Sequence, residues 1–216
     1  MTVELVHGDC MDYMRGLPDK AFELAIVDPP YGIGASRNEG FSEVKRKNGT
    51  VGKTLRAKHK KKEWDAAPPP PEYFEELRRV ATVQIVWGGN YFDLPPTRGI
   101  VCWDKVQPFE NFSAWEMAWT NTDMPAKLIR LDNKGFMSDD GPAIHPTQKP
   151  VKLYDWLLAN YAKPGDRILD THLGSGSSAI AAHYGGFDFV GIELDEDYYR
   201  AACERFDRET AQQAMF

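Results

Sequence analysis

Short apolar runs alternate with longer stretches of helical spacing along most of the chain, and this alternation limits the possible folds more than any other feature. Seven runs are predicted strands: residues 3–7, 23–27, 83–87, 100–103, 114–119, 167–170 and 187–193. Five stretches are predicted helices: residues 11–17, 72–80, 151–161, 177–184 and 196–211. Strands that alternate with helices in this way are typical of an α/β domain with a mostly parallel sheet.

Two long stretches, residues 32–63 and about 121–144, have no sustained helical or strand period. The chain of 216 residues fits one domain, residues 1–216, so both stretches are predicted to lie within it. Long irregular segments inside a compact domain are usually either functional or disordered. The first stretch follows a predicted strand directly, and we expect it to form a loop over a site.

Several classes of protein are excluded by composition. The N-terminus lacks the cationic and apolar segments of a signal peptide, and no apolar run is long enough to cross a membrane. Cys10, Cys102 and Cys203 are odd in number and scattered, which argues against a disulfide framework and against a zinc site. The sequence therefore predicts a cytoplasmic protein with no membrane partner and no metal.

The predicted strand 23–27 runs straight into Asp28-Pro29-Pro30-Tyr31. Two prolines cannot continue a sheet ladder, and they fix the backbone rigidly at the carboxyl end of the strand. In open α/β sheets this edge is where ligands bind. A turn that only ends a strand is the alternative interpretation of these four residues taken alone.

The same turn has the groups needed to act on an exocyclic amine. The lone pair of such an amine is delocalised into the ring, so the nitrogen is a poor nucleophile. Hydrogen bonds from its two N–H groups to the Asp28 carboxylate and the Pro29 carbonyl would orient the nitrogen toward an electrophile. If the amine belongs to a nucleic-acid base that is flipped out of a duplex, Tyr31 could stack on that base, an interaction worth about 1–3 kcal/mol.

A second candidate site is the glycine-rich segment that follows the predicted strand 167–170. Gly174 and Gly176 let the backbone pass close to a ligand, and Asp170 can meet a cationic group. Glu193, at the end of the next predicted strand, can accept hydrogen bonds from ribose hydroxyls. The segment lacks a full G-x-G-x-x-G pattern and a P-loop lysine. An adenosine ligand without phosphates is therefore expected, and a plain tight turn is the alternative.

The segment His145-Pro146-Thr147-Gln148-Lys149-Pro150 opens a predicted helix. Polar groups at a helix N-terminus favour a carboxylate ligand. A capping segment with no ligand is the alternative interpretation.

Together these segments resemble the bacterial and phage DNA amino-methyltransferases of the N6-adenine/N4-cytosine type, in the circularly permuted β-class order. The resemblance covers nearly the whole chain. Its motifs are His7-Gly8-Asp9-Cys10, Asp28-Pro29-Pro30-Tyr31, Trp64-Asp65, Trp87-Gly88-Gly89-Asn90-Tyr91-Phe92, Trp103-Asp104-Lys105, residues 145–150, residues 169–177 and Val190-Gly191-Ile192-Glu193.

The resemblance implies a Rossmann-like methyltransferase fold, with a seven-stranded sheet that is parallel except for one strand. It implies that S-adenosylmethionine is the cofactor, bound by Asp9, Asp170, Gly174, Ser175, Gly176, Glu193, Thr147 and Lys149. Asp9 would approach the cofactor adenine, and Thr147 and Lys149 its methionine end. The catalytic residues would be Asp28, Pro29, Pro30 and Tyr31. The substrate would be double-stranded DNA. The resemblance is compatible with a homodimer and with a companion restriction endonuclease, and it decides neither.

Under this interpretation the basic stretch 32–63, here called the basic loop, is expected to contact DNA phosphates. Its candidate residues are Lys45, Arg46, Lys47, Lys53, Arg56, Lys60, Lys61 and Lys62. On its own a run of charge is commonly solvated surface. The stretch 121–144 is the other candidate for target recognition. Because these two stretches together are short, we expect a short recognition sequence or modest sequence specificity.

One departure from the family pattern stands beside the cofactor motif. Asp170-Thr171-His172 replaces the usual Asp-Pro-Phe, and we expect His172 to be a core or wall residue. Asp before Pro-Pro-Tyr favours adenine N6, by family habit, over cytosine N4. The alternatives are a cytosine enzyme, a DNA-binding subunit without catalysis, and a methyltransferase acting on RNA or on protein glutamine. The glutamine enzymes carry Asn-Pro-Pro-Tyr and have their cofactor motif first, unlike this chain.

Overall fold

The computed structural model describes residues 1–34, 62–106, 113–132 and 143–211, together with the backbone of two strands at 42–45 and 51–54. The strands are β1 Val3–His7, β2 Phe22–Val27, β3 Ser42–Lys45, β4 Val51–Thr54, β5 Ala81–Trp87, β6 Ile100–Asp104, β7 Trp115–Thr120, β8 Lys127–Arg130, β9 Arg167–Asp170 and β10 Asp188–Glu193. The helices are α1 Cys10–Arg15, α2 Pro71–Val80, α3 Val151–Tyr161, α4 Ser177–Gly185 and α5 Glu196–Ala211. All the predicted strands and helices are present, with ends within about two residues, the usual uncertainty of helix boundaries.

The main sheet has eight strands in the order β1-β10-β9-β2-β5-β7-β6-β8. Only β7 runs antiparallel to its neighbours; the other pairs are parallel. The predicted fold class is confirmed. The eighth strand, β8, lies at the sheet edge within the stretch predicted to be irregular. Its four residues, Lys-Leu-Ile-Arg, give too short an alternation to be recognised in the sequence, and terminal charges are common on edge strands.

The basic loop also contains regular structure that the sequence did not predict. Strands β3 and β4 pair antiparallel as a two-stranded hairpin. In the backbone register Ser42 lies opposite Thr54 and Lys45 lies opposite Val51. The hairpin carries the predicted phosphate contacts Lys45 and Lys53. The others, Arg46, Lys47, Arg56, Lys60 and Lys61, lie outside the described residues.

Helices cover both faces of the sheet, and strand β2 shows why. Leu24 and Ile26 belong to an apolar cluster with α3 and α4, whereas Ala25 and Val27 belong to a second cluster with α2. Successive side chains of a strand point to opposite faces, so a strand buried on both sides is an unbroken apolar run. In the described part of the chain, no helix is long and apolar enough to span a membrane.

Parallel pairing brings the two candidate motifs to one edge of the sheet. Strands β9 and β2 are direct neighbours, with Leu24 opposite Ile168 and Ala25 opposite Leu169. The Asp28 turn and the glycine-rich turn after Asp170 therefore leave adjacent strands at their carboxyl ends. Glu193, at the end of β10, belongs to the next strand on the same edge. The fold thus places the predicted catalytic and cofactor motifs side by side.

Candidate active site

The glycine-rich turn encloses the Asp170 carboxylate. Its Oδ1 accepts a hydrogen bond from the His172 backbone N–H at 3.0 Å, and its Oδ2 accepts one from the Ser178 hydroxyl at 2.6 Å. Gly174 and Gly176 have φ of +54° and +74°, where a side chain would be strained. Burial raises the pKa of Asp170 to about 7. A carboxylate in this surrounding is stabilised by a cationic ligand.

Glu193 connects the end of β10 to this turn. One carboxylate oxygen accepts the Gly174 N–H at 2.8 Å, and the other accepts the Asp195 N–H at 2.9 Å. Burial raises the pKa of the Glu193 carboxyl group, although these backbone hydrogen bonds act in the opposite direction. The side chain therefore fixes the shape of the turn and keeps lone pairs free for a further donor.

A buried arginine on α5 donates hydrogen bonds to the same turn, a contact that the sequence did not predict. Arg205 of α5 is 1% exposed, and its Nη1 donates to the Ser175 carbonyl at 3.1 Å and to the Ser177 hydroxyl at 2.9 Å. The Ser175 hydroxyl lies 3.1 Å from that of Ser177. Contacts with α4 and α5 thus hold Ser175 in place within the turn.

Asp9 follows the end of β1, whose neighbour β10 ends at Glu193 beside the glycine-rich turn. Its carboxylate caps α1 by accepting the Met11 N–H at 2.7 Å, and the N–H of the preceding Gly8 donates to the Glu193 carbonyl at 3.0 Å. A side chain added at Gly8 would meet nothing within 4 Å. The structure therefore places Gly8 against the end of β10 and next to open space, and the Asp9 residue that follows it is exposed.

His172 is the end of a short chain of hydrogen bonds. The Tyr73 hydroxyl lies 2.6 Å from the Thr171 hydroxyl, which lies 2.9 Å from His172 Nδ1. The imidazole also packs edge-on against the Tyr73 ring at 5.4 Å. Burial lowers the pKa of His172 to about 4, with Asp9 acting in the opposite direction. His172 is therefore a neutral residue at physiological pH.

The Asp28 turn is closed by its own side chains. Asp28 Oδ1 accepts a hydrogen bond from the Tyr31 hydroxyl at 2.6 Å. The Tyr31 ring stacks on Tyr91 at 4.8 Å with an interplanar angle of 13°. Gly88, with φ of +68°, makes room for this ring, because a Cβ there would lie 2.3 Å from Tyr31 Cε1. Pro29, within the turn, is buried.

The remaining oxygen of Asp28 contacts Lys149, which the sequence predicted to lie at the methionine end of the cofactor. Lys149 Nζ donates to Asp28 Oδ2 at 2.5 Å and lies 3.2 Å from Glu116 Oε2. Glu116, on β7, also forms an ion pair with Lys105. Glu116 and Lys105 are site residues that the sequence did not identify as such, because they come from the antiparallel strand and its neighbour.

Thr147 lies between the two turns. Its hydroxyl is 3.1 Å from His145 Nδ1, and the His145 ring packs on Trp64 at 5.1 Å and on Tyr198 at 4.4 Å. A Cβ added at Gly174 would lie 3.8 Å from the His145 ring. The segment 145–150 therefore contacts the glycine-rich turn through His145 and the Asp28 turn through Lys149.

Lys62 differs from its predicted role as a phosphate contact. Its ammonium forms ion pairs with Asp195 and with Asp197, the latter at 3.0 Å, and it lies 4.4 Å from the centre of the Tyr198 ring. The side chain is only 15% exposed. Because two carboxylates already neutralise it, Lys62 fastens the end of the basic loop to α5.

A small cavity opens between the Asp28 turn and the segment 145–150. It is lined by Asp28, Pro29, Pro30, Tyr31, Trp64, Asp65, Glu116, Thr147 and Lys149. The Asp65 carboxylate shapes its rim by accepting the Gly32 N–H at 2.8 Å. All four predicted catalytic residues thus meet at one cavity, with Lys149, Glu116 and Asp65 added to them.

Comparisons with known proteins show the family of the chain and the structures that share its fold. Residues 57–204 match the sequence pattern of the N6/N4 methyltransferase family, which is described as DNA methylase. The Escherichia coli (strain K12) protein YubD is 28% identical over 219 residues, covering 93% of this chain and 88% of YubD.

Two solved structures share the fold. The M1.HpyAVI–SAM complex has a TM-score of 0.58 and 16% identity, covering 95% of this chain and 100% of that one. The PvuII DNA methyltransferase, described as cytosine-N4-specific, has a TM-score of 0.60 and 14% identity, covering 98% of this chain and 91% of that one. Since the family pattern extends over more than half of the chain, the protein belongs to the DNA methylase family of N6/N4 amino-methyltransferases.

Proposed function

We propose that the protein transfers a methyl group from S-adenosylmethionine to the exocyclic amine of a flipped DNA base, with adenine N6 as the target. The observation that carries this proposal is the adjacency of the two turns at the carboxyl ends of β2 and β9. A carboxylate for the amine and a glycine-rich turn for the cofactor therefore open onto one edge, as a transfer between two ligands requires.

The residues of the glycine-rich turn fit an adenosylmethionine ligand. Asp170 has a pKa raised to about 7 by burial, and a cation would stabilise its charged form. The Glu193 carboxylate is partly buried and Asp9 is exposed, and both are suited to accept hydrogen bonds from ribose hydroxyls and from the adenine amine. Gly174, Ser175 and Gly176 let the backbone approach the ligand, and Thr147 would meet its methionine end. When bound, the cofactor supplies an electrophilic methyl group.

The Asp28 turn orients the amine. Asp28 and the Pro29 carbonyl accept its two N–H groups, which favours a tetrahedral nitrogen whose lone pair points toward the methyl group. Pro30 keeps the turn rigid. Tyr31 leaves its contact with Tyr91 to stack on the base. The nitrogen loses one proton as the methyl group arrives or afterwards. That proton leaves along the hydrogen bond to the Asp28 carboxylate and passes from there to solvent.

The basic loop provides the DNA phosphate contacts in this proposal. Hairpin residues Lys45 and Lys53 take this role, together with the neighbouring basic residues of the loop. Lys62 does not, because its charge is already paired with Asp195 and Asp197. We propose a single catalytic domain that works on double-stranded DNA in the cytoplasm, in a restriction-modification or orphan setting.

Cytosine N4 is the second candidate target. It is favoured by the likeness in fold to the PvuII enzyme, which is described as cytosine-N4-specific. Both bases present an amine beside an unprotonated ring nitrogen, so the Asp28 turn suits either. A DNA-binding subunit without catalysis is a third candidate, because His172 replaces the phenylalanine usual in the family.

One experiment separates these candidates. The protein is incubated with DNA and tritium-labelled methyl cofactor, the DNA is digested to nucleosides, and the labelled nucleoside is identified. N6-methyladenine is expected, and Asp28→Ala should abolish the label. Labelled N4-methylcytosine would select the second candidate. Absence of any label, with cofactor binding retained in isothermal titration, would overturn the catalytic proposal.

A further inference from the structure

Four charged side chains form a partly enclosed chain of alternating sign beside the Asp28 turn. In order they are Lys105, Glu116, Lys149 and Asp28, and their side chains are 13%, 25%, 4% and 17% exposed. Lys149 is the most enclosed, and the distances from its Nζ are 2.5 Å to Asp28 and 3.2 Å to Glu116. Burying four charges is costly, so the arrangement needs a reason beyond stability.

Lys149 stays protonated in this surrounding. Burial acts to lower its pKa, but the charges of Asp28 and Glu116 outweigh burial, and the pKa is raised. Burial likewise acts to raise the pKa of Glu116, but Lys149 and Lys105 outweigh it, and that pKa is lowered. The cavity beside the Asp28 turn is therefore lined by the charged ammonium of Lys149 and the charged carboxylate of Glu116.

An ammonium has three N–H donors. Among the described residues, the Lys149 ammonium donates a hydrogen bond to Asp28 and forms an ion pair with Glu116, and it lies 5.2 Å from the centre of the Trp87 ring. One donor is therefore available to a ligand in the cavity that Lys149 lines. The acceptor that such a ligand would need must lie beside the group that binds Asp28.

Adenine and cytosine have this pattern. In each base the exocyclic amine, a donor, is bonded to a ring carbon whose neighbour is an unprotonated nitrogen, an acceptor: N1 in adenine and N3 in cytosine. Asp28 and Lys149 present the complementary acceptor and donor, 2.5 Å apart. Thymine and hypoxanthine have a ring N–H at the corresponding position, and an ammonium repels that group.

We propose that Lys149 reads the target base by donating a hydrogen bond to the ring nitrogen next to the methylated amine. This inference rests on the proposed function and adds a residue that selects the base. Glu116 is a positioning residue for Lys149, and Lys105 is one for Glu116. A cation on the ring nitrogen draws electrons away from the amine, so Lys149 contributes to capture and orientation of the base and does not activate the amine.

The test removes the ring nitrogen and the lysine separately and together. Duplexes carry adenine, 1-deazaadenine, in which N1 becomes C–H, or 7-deazaadenine, which keeps N1. For a cytosine target, 3-deazacytosine replaces 1-deazaadenine. A hydrogen bond to a charged group is worth about 10- to 100-fold, so wild type should lose that factor in kcat/KM on 1-deazaadenine but not on 7-deazaadenine.

Lys149→Met should lose a similar factor on adenine, mainly through KM, and nothing more on 1-deazaadenine. Lys105→Met is the matched control: it removes the other lysine on Glu116 and should keep the wild-type discrimination between the two bases, whatever its rate. Circular dichroism and cofactor titration check that each variant is folded.

Equal wild-type rates on adenine and 1-deazaadenine would reject the inference, even if Lys149→Met does not fold. It would also be rejected if Lys149→Met kept the full wild-type penalty on 1-deazaadenine, since the two losses would then be independent. Failure of the proposed function differs from both outcomes, because wild type would then methylate no base at all.

Discussion

The two sides of the catalytic edge are built in different ways. On one side is the proposed cofactor-binding segment, called the cofactor turn and defined as residues 170–178 with Glu193; on the other is the proposed base-binding site, called the base pocket and defined as Asp28 to Tyr31 with Glu116 and Lys149. The contacts of Asp170 and Glu193 come from 2, 8 and 19 residues away in sequence. The Asp28–Lys149 pair spans 121 residues. The comparison teaches that the groups around Asp170 come from one continuous part of the chain, whereas the charges around Asp28 come from distant parts that only the fold brings together.

The two carboxylates also differ in electrostatics. Asp170 is buried, its hydrogen bonds come from uncharged groups, and its pKa is raised to about 7. Asp28 lies against the ammonium of Lys149. The cofactor turn therefore has room for a positive charge from a ligand, whereas the base pocket already contains its own. This difference predicts that variants on the two sides change different measurements.

Asp28→Ala should have the largest effect. Loss of a preorganised hydrogen-bond partner in an active site typically costs about 10²–10³-fold in kcat, and in the proposed mechanism Asp28 also orients the amine. The affinity for S-adenosylmethionine should stay within about threefold, because no residue of the cofactor turn is changed. Single-turnover methylation and isothermal titration measure the two quantities. A comparable loss of cofactor affinity would contradict the separation of the two sides.

His172 should make the stability of the cofactor side depend on pH. Its pKa is about 4 in the folded protein against an ordinary value of 6.5, so the unfolded chain takes up a proton first as pH falls. Stability from this residue is complete above pH 6.5 and is lost toward pH 4, by about 2 kcal/mol between pH 7 and pH 5. Urea unfolding at both pH values measures it.

His172→Phe, which restores the residue usual in the family, is the control for that measurement. Other groups titrate in the same range, including Asp170, so the informative quantity is the difference between wild type and the variant. The variant should lose about 2 kcal/mol less on going from pH 7 to pH 5. An identical pH dependence in both proteins would show that His172 is not the group responsible.

Gly88→Ala and Gly186→Ala form a matched pair that tests the base pocket. Both glycines have positive φ, +68° and +75°, so alanine should cost each about 1 kcal/mol of stability. Only at Gly88 does the new Cβ meet the Tyr31 ring; at Gly186 nothing lies within 4 Å. Gly88→Ala should therefore also reduce methylation, while Gly186→Ala keeps kcat. Thermal unfolding and initial rates give both numbers.

The smallest effect concerns proton release at Asp170. If the ligand places a cation beside this carboxylate, its pKa falls on binding, and about half a proton should be released at pH 7. Isothermal titration in two buffers of different ionisation enthalpy measures the release. Asp170→Asn is the control, since the titration of the ligand itself is the same for both proteins. Equal release from both would place the cation elsewhere.

Sequence alone determined the secondary structure of the main sheet, except β8, and the composition of both turns. Period-two and helical apolar patterns report burial directly, so the ends of β1, β9, α3 and α5 were predicted to the residue. The Asp28 turn and the glycine-rich turn are short motifs whose backbone geometry depends on proline and glycine within them. Strands β3, β4 and β8 have four residues each, as β9 does, but β9 leads directly into the glycine-rich turn, whereas the other three adjoin no such motif.

Tertiary structure alone decided which distant charges meet. Nothing in the sequence around Lys149 indicates that its ammonium binds Asp28, or that Glu116 on β7 binds both Lys149 and Lys105. Nor could the sequence indicate that Lys62 forms ion pairs with Asp195 and Asp197. The physical reason is the sequence separation of the residues involved. Hydrophobic periodicity is a pattern among neighbouring residues, whereas these ion pairs depend on strand order, which brings together residues far apart in the chain.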